Sequence, residues 1–160
     1  MANFKHNPLA KCTLRTAGLS SSKSATFGLV RKNKDGSLRA HQGVDFAANP
    51  NTPIYAVEDG EVISIVKSDK GFGNTITLKI TKDGKVLYPC YCHLSKISVV
   101  LNSSVKAGDT LGYTGTSGNA AGMDSVAKGA HLHFGLKSSL SAGLGLNGWV
   151  DPLPFVTLEK

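Results

Sequence analysis

Short apolar runs alternate with turn residues along most of the chain. From Phe27 onward, segments rich in Val, Ile, Leu and Thr are separated by Gly, Asn, Asp or Ser, and no long amphipathic helical pattern interrupts them. Runs of this length bounded by turn residues are typical of β-strands. The predicted strands cover residues 44–47, 54–56, 60–67, 74–80, 86–93, 110–113 and 131–136. We therefore expect an all-β fold, mainly antiparallel sheet in a partly open, barrel-like arrangement, with long loops and little helix.

The segments outside these strands predict a hairpin turn, a long loop and a closing segment. Asp83-Gly84 stands between two β-rich runs and predicts a tight hairpin, because both residues tolerate positive φ. Residues 115–129 are rich in Gly and Ala without periodicity, so we expect a long surface loop with one helical turn near residues 125–128. The segment from Trp149 to Pro152 is expected to close the barrel or sheet.

The length of the chain suits one compact core. A chain of 160 residues, 41% of them hydrophobic, is too short for two ordinary domains. Residues 1–25 lack periodicity and end in a Ser-rich stretch, so we expect an N-terminal extension packed onto a single domain of residues 26–160. No apolar signal core opens the chain, and no segment approaches the roughly 18 apolar residues of a membrane span. We expect neither a signal peptide nor a membrane span.

The chain is basic. It has 18 Lys and Arg against 11 Asp and Glu, a formal net charge of +7, and such an excess attracts polyanions. Nucleic acid, anionic lipid and anionic cell wall are the candidate surfaces, but the basic residues are scattered and no nucleic-acid motif accompanies them. We expect a dispersed, solvated basic surface and no nucleic-acid partner.

Three cysteines, Cys12, Cys90 and Cys92, are too few for a disulfide scaffold. Either Cys12 pairs with Cys90 or Cys92 in an oxidising compartment, or all three remain free thiols. Cys90 and Cys92 also form half of a soft-metal motif, but no second cysteine pair completes it. The sequence leaves the disulfide question open.

Four of the five histidines lie in three short clusters. The clusters are His41-Gln42-Gly43-Val44-Asp45, Tyr91-Cys92-His93 and His131-Leu132-His133. In an extended strand, residues of equal parity share a face, so His131 and His133 should point to one pocket. His41 and Asp45 also share parity and should lie on one side of an extended or turning segment.

These clusters predict a metal site. A histidine, a carboxylate and one further histidine are a common ligand set for Zn²⁺, and the fourth position is left to water in catalytic sites. Each cluster alone has a plain structural explanation, such as half-buried strand histidines or a surface hydrogen bond. Their convergence favours a site with three ligands and two spare imidazoles, and we expect one Zn²⁺ per chain.

The sequence resembles the LytM/lysostaphin-type family of zinc metallopeptidases, which cut peptide bonds in bacterial peptidoglycan. The matching motifs stand in the family's order over roughly residues 27–155: Phe27-Gly28, Arg39-Ala40-His41-Gln42-Gly43-Val44-Asp45-Phe46, Pro53-Ile54-Tyr55-Ala56, Asp59-Gly60, Gly73-Asn74, Tyr91-Cys92-His93-Leu94, Val105-Lys106-Ala107-Gly108, Gly118-Asn119, His131-Leu132-His133-Phe134 and Asp151-Pro152. The resemblance implies His41, Asp45 and His133 as zinc ligands. It implies His93 and His131 as the catalytic histidines.

This resemblance also constrains the mechanism. No His-Glu-x-x-His motif is present, so the reaction needs another base. Zn²⁺ lowers the pKa of bound water toward ~7 and polarises the scissile carbonyl. His93 and His131 are then expected to share two roles: accepting a proton, and stabilising the oxyanion or protonating the leaving amine. The spacing leaves the order of these roles open.

Three features stand beside the family motifs. Residues 120–130 make the segment before His131 several residues longer than is usual in the family, and we expect this loop to border the substrate groove. Tyr91 shares parity with His93 and is predicted to line the groove. Asn74 is predicted to hydrogen-bond its own turn rather than a substrate.

Together these features predict a monomeric zinc endopeptidase that hydrolyses peptide crosslinks of peptidoglycan, in the periplasm or outside the cell. Without a signal peptide, we expect delivery to the wall as a phage-type lysin or as a toxin of a contact-dependent secretion apparatus, with an immunity protein in the producer. One alternative is a non-catalytic LytM-like module that activates another hydrolase, although such modules typically lose metal ligands. A peptidase of glycine-rich proteins is another alternative and would share every catalytic residue.

Overall fold

The computed structural model describes residues 3–19, 21–143 and 145–159, and within them the all-β prediction is confirmed. Met1, Ala2 and Ser20 of the predicted extension lie outside the described residues. The strands are β1 (Gly28–Lys32), β2 (Leu38–His41), β3 (Val44–Ala47), β4 (Pro53–Tyr55), β5 (Gly60–Val66), β6 (Thr75–Lys82), β7 (Lys85–Cys92), β8 (Leu94–Ile97), β9 (Ser104–Val105), β10 (Thr110–Thr114), β11 (His131–Lys137) and β12 (Trp149–Val150). Short 3₁₀ turns cover Ser22–Ala25, Gly118–Ala120, Val126–Lys128 and Leu153–Phe155.

The strands form three antiparallel sheets. The large sheet has the order β12-β11-β7-β6-β5-β9, and β3 also pairs with β11. A three-stranded sheet has the order β4-β10-β8, and β1 pairs with β2 as a separate hairpin. Among the described residues no sheet closes into a barrel, and β12 forms an edge of the large sheet. No helix in these ranges is long and apolar enough to cross a membrane.

The seven predicted strands are confirmed, each within two residues of its predicted bounds. The Asp83-Gly84 hairpin is also confirmed, because Lys82 pairs with Lys85 and the turn residues have φ of 51° and 79°. The missed strands are β1, β2, β8, β9 and β12. Two of these are only two residues long, and β1, β2 and β8 carry exposed polar residues that weaken an apolar pattern.

The core continues into the N-terminal segment. Phe4, Leu9 and Cys12 belong to the same buried cluster as the strand residues. The ring of Phe4 stacks on Phe155 with 5.0 Å between centroids and meets Phe134 of β11 edge-on at 6.2 Å. Residues of the predicted extension therefore contribute apolar area to the same core as the sheets.

The N-terminal segment also lengthens the sheet beside β3. Ala47 donates its backbone N–H to Thr13 (2.7 Å), and Arg15 donates to Asp45 (2.9 Å). Leu14 forms an antiparallel bridge with Phe46 between these two bonds. Strand β3 is consequently held on one side by β11 and on the other by residues 13–15, which fixes the backbone at Asp45.

The expectation that Tyr91 lines a groove is wrong. Its side chain is fully buried, and its hydroxyl donates to the Tyr55 carbonyl (2.9 Å) and accepts from the Val57 N–H (3.2 Å). Strand β7 ends at Cys92, and His93 has a φ of 62°. Strand alternation therefore ends at Cys92 and does not place Tyr91 and His93 on the same side.

Asn74 and the cysteines lie among structural contacts. The Asn74 side chain accepts from the Ser68 N–H (3.1 Å), which confirms the prediction that it bonds its own turn. Cys12, Cys90 and Cys92 are all buried free thiols. Burial raises the pKa of the Cys12 thiol to about 11, so it stays protonated and unreactive at neutral pH.

Candidate metal and catalytic site

Strand β11 brings the histidine clusters together. Its register with β3 places His133 opposite Asp45, and its register with β7 places His133 opposite Cys92, one residue before His93. His131 lies two residues earlier on the same face of β11, as its parity predicts. His41 ends β2, and two residues separate it from the start of β3. All five predicted site residues are buried.

The predicted ligand residues converge on one carboxylate oxygen. Oδ1 of Asp45 lies 3.1 Å from Nε2 of His41 and 3.0 Å from Nδ1 of His133. One nitrogen or oxygen from each residue falls within a group in which all atoms are less than 4.8 Å apart. Tetrahedral bonds of about 2.0–2.1 Å to Zn²⁺ correspond to ligand separations of about 3.3 Å, so the spacing suits such an ion.

Backbone carbonyls fix the tautomers of three site histidines. In each, Nδ1 lies 2.8 Å from a carbonyl oxygen; the pairs are His41 with Thr26, His93 with Ser117, and His131 with Gly129. A carbonyl oxygen only accepts, so Nδ1 carries the hydrogen and Nε2 of the neutral ring carries the lone pair. Partners of this kind orient metal ligands and bases in many proteins.

This tautomer places two hydrogen-bond acceptors, one from His41 and one from Asp45, against each other. With its hydrogen on Nδ1, neutral His41 presents a lone pair to the Asp45 carboxylate at 3.1 Å, and two acceptors cannot bond to each other. A cation between them, or a second proton on the ring, satisfies both. Nε2 of His133, the ring nitrogen that does not contact Asp45, is buried and has no hydrogen-bond partner among the described residues. The facing lone pairs of His41 and Asp45 therefore suit a bound cation.

The protonation states also suit this chemistry. Burial lowers the pKa of His93 to about 4 and lowers the pKa of His131 and His133, so these rings are neutral at neutral pH. Burial opposes ionisation of Asp45, but the hydrogen bond donated by Nδ1 of His133 favours the charged form, and the pKa of the carboxyl is held well below its usual range. The site therefore presents neutral imidazoles around an ionised carboxylate.

Sequence reasoning missed two arginines at this carboxylate. Oδ2 of Asp45 accepts from Nη2 of Arg31 (2.8 Å) and Nη1 of Arg15 (3.2 Å). Arg31 lies in β1, close to the Phe27-Gly28 motif, which could have drawn attention to it. Arg15 belongs to a segment without any motif, so no sequence signal pointed to it.

The five residues lie at the base of an open cleft of about 940 Å³. Phe72 stacks on His133 with 4.9 Å between ring centroids, and Phe72 and Met123 both line the cleft. Met123 belongs to the loop of residues 120–130, which therefore borders the cleft as expected. Two 3₁₀ turns, rather than the one predicted, shape the segment between β10 and β11.

Gly43 provides the space into which His133 fits. A Cβ at Gly43 would lie 2.5 Å from the Phe134 carbonyl oxygen and 2.9 Å from Nε2 of His133. We expect Gly43→Ala to lower the free energy of unfolding by about 2 kcal/mol, since β11 or the ring must move. Urea unfolding would measure the loss. Gly143→Ala is the matched control, because nothing lies within 4 Å of its Cβ; equal stability of both variants would contradict the expectation.

Comparison with known proteins identifies the family. A family model described as Peptidase family M23 matches residues 39–145, more than half of the chain. The chain belongs to peptidase family M23. Every predicted ligand and catalytic histidine lies within the M23 match, whereas Arg15 and Arg31 precede it.

Individual M23 proteins match over a similar span. Glycyl-glycine endopeptidase ALE-1 of Staphylococcus capitis is 35% identical over 116 residues, 72% of this chain and 29% of that protein. Lysostaphin of Staphylococcus simulans is 37% identical over 117 residues, 72% of this chain and 21% of that protein. The chain thus spans less than a third of these relatives. The lysostaphin catalytic domain superposes with a TM-score of 0.62 and 34% identity, covering 81% of this chain and 87% of that chain.

Proposed function

We propose that this chain is a zinc-dependent endopeptidase that hydrolyses peptide crosslinks of bacterial peptidoglycan. The observation that carries the proposal is the clustering of His41, Asp45 and His133 within ligand distance of one another, with His93 and His131 beside them. The M23 relatives include a glycyl-glycine endopeptidase and the antimicrobial peptidase lysostaphin, which supports this substrate class.

We assign His41, Asp45 and His133 as the zinc ligands. Two imidazoles and one carboxylate are borderline nitrogen and oxygen donors, the set that Zn²⁺ accepts in catalytic sites with an open position. When bound, the ion would supply Lewis acidity that polarises a carbonyl and activates water. Phe72 stacks on the His133 ring and restrains its orientation.

We assign proton transfer to His93 and His131 jointly. Their rings lie 5.0 Å apart between centroids, and Nε2 of His131 lies 3.7 Å from Oδ2 of Asp45. Each Nδ1 is bound to a carbonyl, so Nε2 is the nitrogen available to accept a proton from the attacking water and to return it to the leaving amine. The carbonyls of Ser117 and Gly129 stabilise the rings further once they become cationic.

The cleft surface suits an anionic polymer. Arg31, Lys32 and Arg39 line it, and Arg39 and Lys32 are exposed. Since Asp45 is the only carboxylate among the cleft residues described and is already paired with two arginines, the field at the mouth is positive. Wall polymers carry carboxylates and phosphates that such a field attracts.

The test is digestion of purified sacculi followed by mass spectrometry of the soluble products. We expect uncrosslinked stem peptides with stoichiometric Zn²⁺, loss of product after chelation, and recovery when zinc is returned. Zinc binding without any product would instead support a non-catalytic module that activates another hydrolase. Product release that survives complete removal of metal would rule out the zinc mechanism.

A substrate panel identifies the bond that is cut. Sacculi with glycyl bridges, sacculi with direct D-Ala to diaminopimelate crosslinks, and a glycine-rich protein such as elastin should be digested in parallel. Faster release from either kind of sacculus than from the glycine-rich protein supports a wall substrate. Faster digestion of the glycine-rich protein would reject the proposal of a wall substrate.

A further inference from the structure

We propose that Arg15 is a positioning residue of the metal site, which with Arg31 holds one oxygen of Asp45 so that the other alone is offered to the ion. This inference rests on the proposed zinc site. It assigns a function to the N-terminal segment, which lies outside the M23 match.

The two oxygens of Asp45 have separate surroundings. Oδ1 faces His41 and His133, whereas Oδ2 receives both guanidinium groups. The Arg15 side chain is only 8% exposed and the Asp45 side chain 1%. Arginine is rarely buried to this degree unless it is paired, and here the pairing partner is a predicted metal ligand.

The backbone ties Arg15 to the residue it is proposed to orient. The Arg15 N–H donates to the Asp45 carbonyl at 2.9 Å, next to the Leu14–Phe46 bridge. The guanidinium therefore reaches its carboxylate from a strand-like segment that is hydrogen-bonded to β3 itself. Nε of Arg15 also donates to the Ala17 carbonyl (3.0 Å), which restrains the side chain in that direction.

Two glycines with positive φ make room for this guanidinium. A Cβ at Gly18 (φ 77°) would lie 3.0 Å from Nη2 of Arg15, and one at Gly129 (φ 96°) would lie 3.1 Å from the same atom. Gly129 also provides the carbonyl that holds Nδ1 of His131. Arg15 thus packs against the residue that orients a proposed proton carrier as well as against the ligand.

Occupying Oδ2 restricts how Asp45 can bind a metal. A carboxylate with one oxygen held by two guanidinium groups coordinates through the other oxygen only, whereas a free carboxylate can bind through both. Single-oxygen binding keeps the site at three protein donor atoms and leaves a position open for water. Arg15 and Arg31 therefore favour the coordination number that catalysis requires.

The experiment compares Arg15→Ala with the wild-type chain in two metal readouts. Zn²⁺ affinity, measured by competition with a chromophoric chelator, should fall about 10–100-fold, as is typical when an outer partner of a ligand is removed. The visible spectrum of the Co²⁺-substituted variant should weaken, since a fourth protein donor moves the ion away from tetrahedral geometry. Arg39→Ala removes an exposed arginine of the same cleft and is the matched control for charge.

The inference is overturned if Arg15→Ala matches the wild-type chain in either readout, or if Arg39→Ala loses as much affinity. Should Arg15→Ala fail to fold, Arg15→Lys is judged by the same two readouts, because lysine keeps the charge but lacks the planar fork. Failure of the wild-type chain to bind one Zn²⁺ would reject the proposed function instead. The two proposals are therefore tested separately.

Discussion

Asp45→Asn is expected to abolish zinc binding and to reduce peptidase activity about a thousandfold or more, since several kcal/mol of transition-state stabilisation depends on the metal. Asparagine keeps the shape of Asp45 but not its charge, and a neutral amide is a poor zinc ligand. The change also leaves Arg15 and Arg31 without their common counterion. We expect the free energy of unfolding to fall by about 3 kcal/mol. This is the lower end of the loss expected for a broken buried ion pair, because Arg31 is partly exposed.

Three measurements check this expectation: zinc content after dialysis, urea unfolding and product release from sacculi. Asp83→Asn is the matched control, because it makes the same chemical change at an exposed hairpin turn where asparagine tolerates the positive φ. An Asp45→Asn protein that still binds one Zn²⁺ would remove Asp45 from the ligand set.

His131→Ala and His93→Ala are expected to separate catalysis from metal binding. Each variant should keep one Zn²⁺ per chain while its turnover falls about 10²–10⁴-fold, the usual contribution of a positioned acid or base. His133→Ala, in contrast, should lose zinc and activity together. Elemental analysis and turnover on a soluble crosslinked muropeptide would be measured on the same samples.

His6→Ala is the control for these substitutions. His6 is the one histidine outside the cluster, and its ring meets that of Tyr55 at a tilt, with 5.0 Å between centroids, in a separate pocket. We expect this variant to retain zinc and turnover. Loss of zinc from His131→Ala would make His131 a ligand, and undiminished turnover of either variant would exclude that histidine from proton transfer.

Local pattern was sufficient to predict the strands and most of the site. The alternation that buries Leu132 and Phe134 on one face of β11 places His131 and His133 on the other, so their convergence followed from parity alone. His41 and Asp45 flank the short turn between β2 and β3, so both their sequence separation and their spatial distance are small. The structure brings these residues together as expected.

Contacts between distant segments were beyond the sequence pattern. The positive φ of His93 ends the strand geometry after Cys92, so its ring faces the site although its sequence parity matches that of Tyr91. Tyr91 lies within the strand and is buried in the core. Arg15 reaches Asp45 through pairing across 30 residues, and no motif marks Arg15 in the sequence. The positions of His93, Tyr91 and Arg15 depend on tertiary contacts, which the local periodicity of a single sequence does not encode.

The N-terminal packing has a consequence for protein engineering. A graft that moved only residues 39–145 into a host protein would leave Asp45 without both guanidinium groups and Phe134 without the ring of Phe4. The transplantable unit therefore begins no later than Phe4 and extends at least to Phe155, whose ring closes the stack. Chimeras and directed-evolution libraries should place their crossover points outside these two phenylalanines.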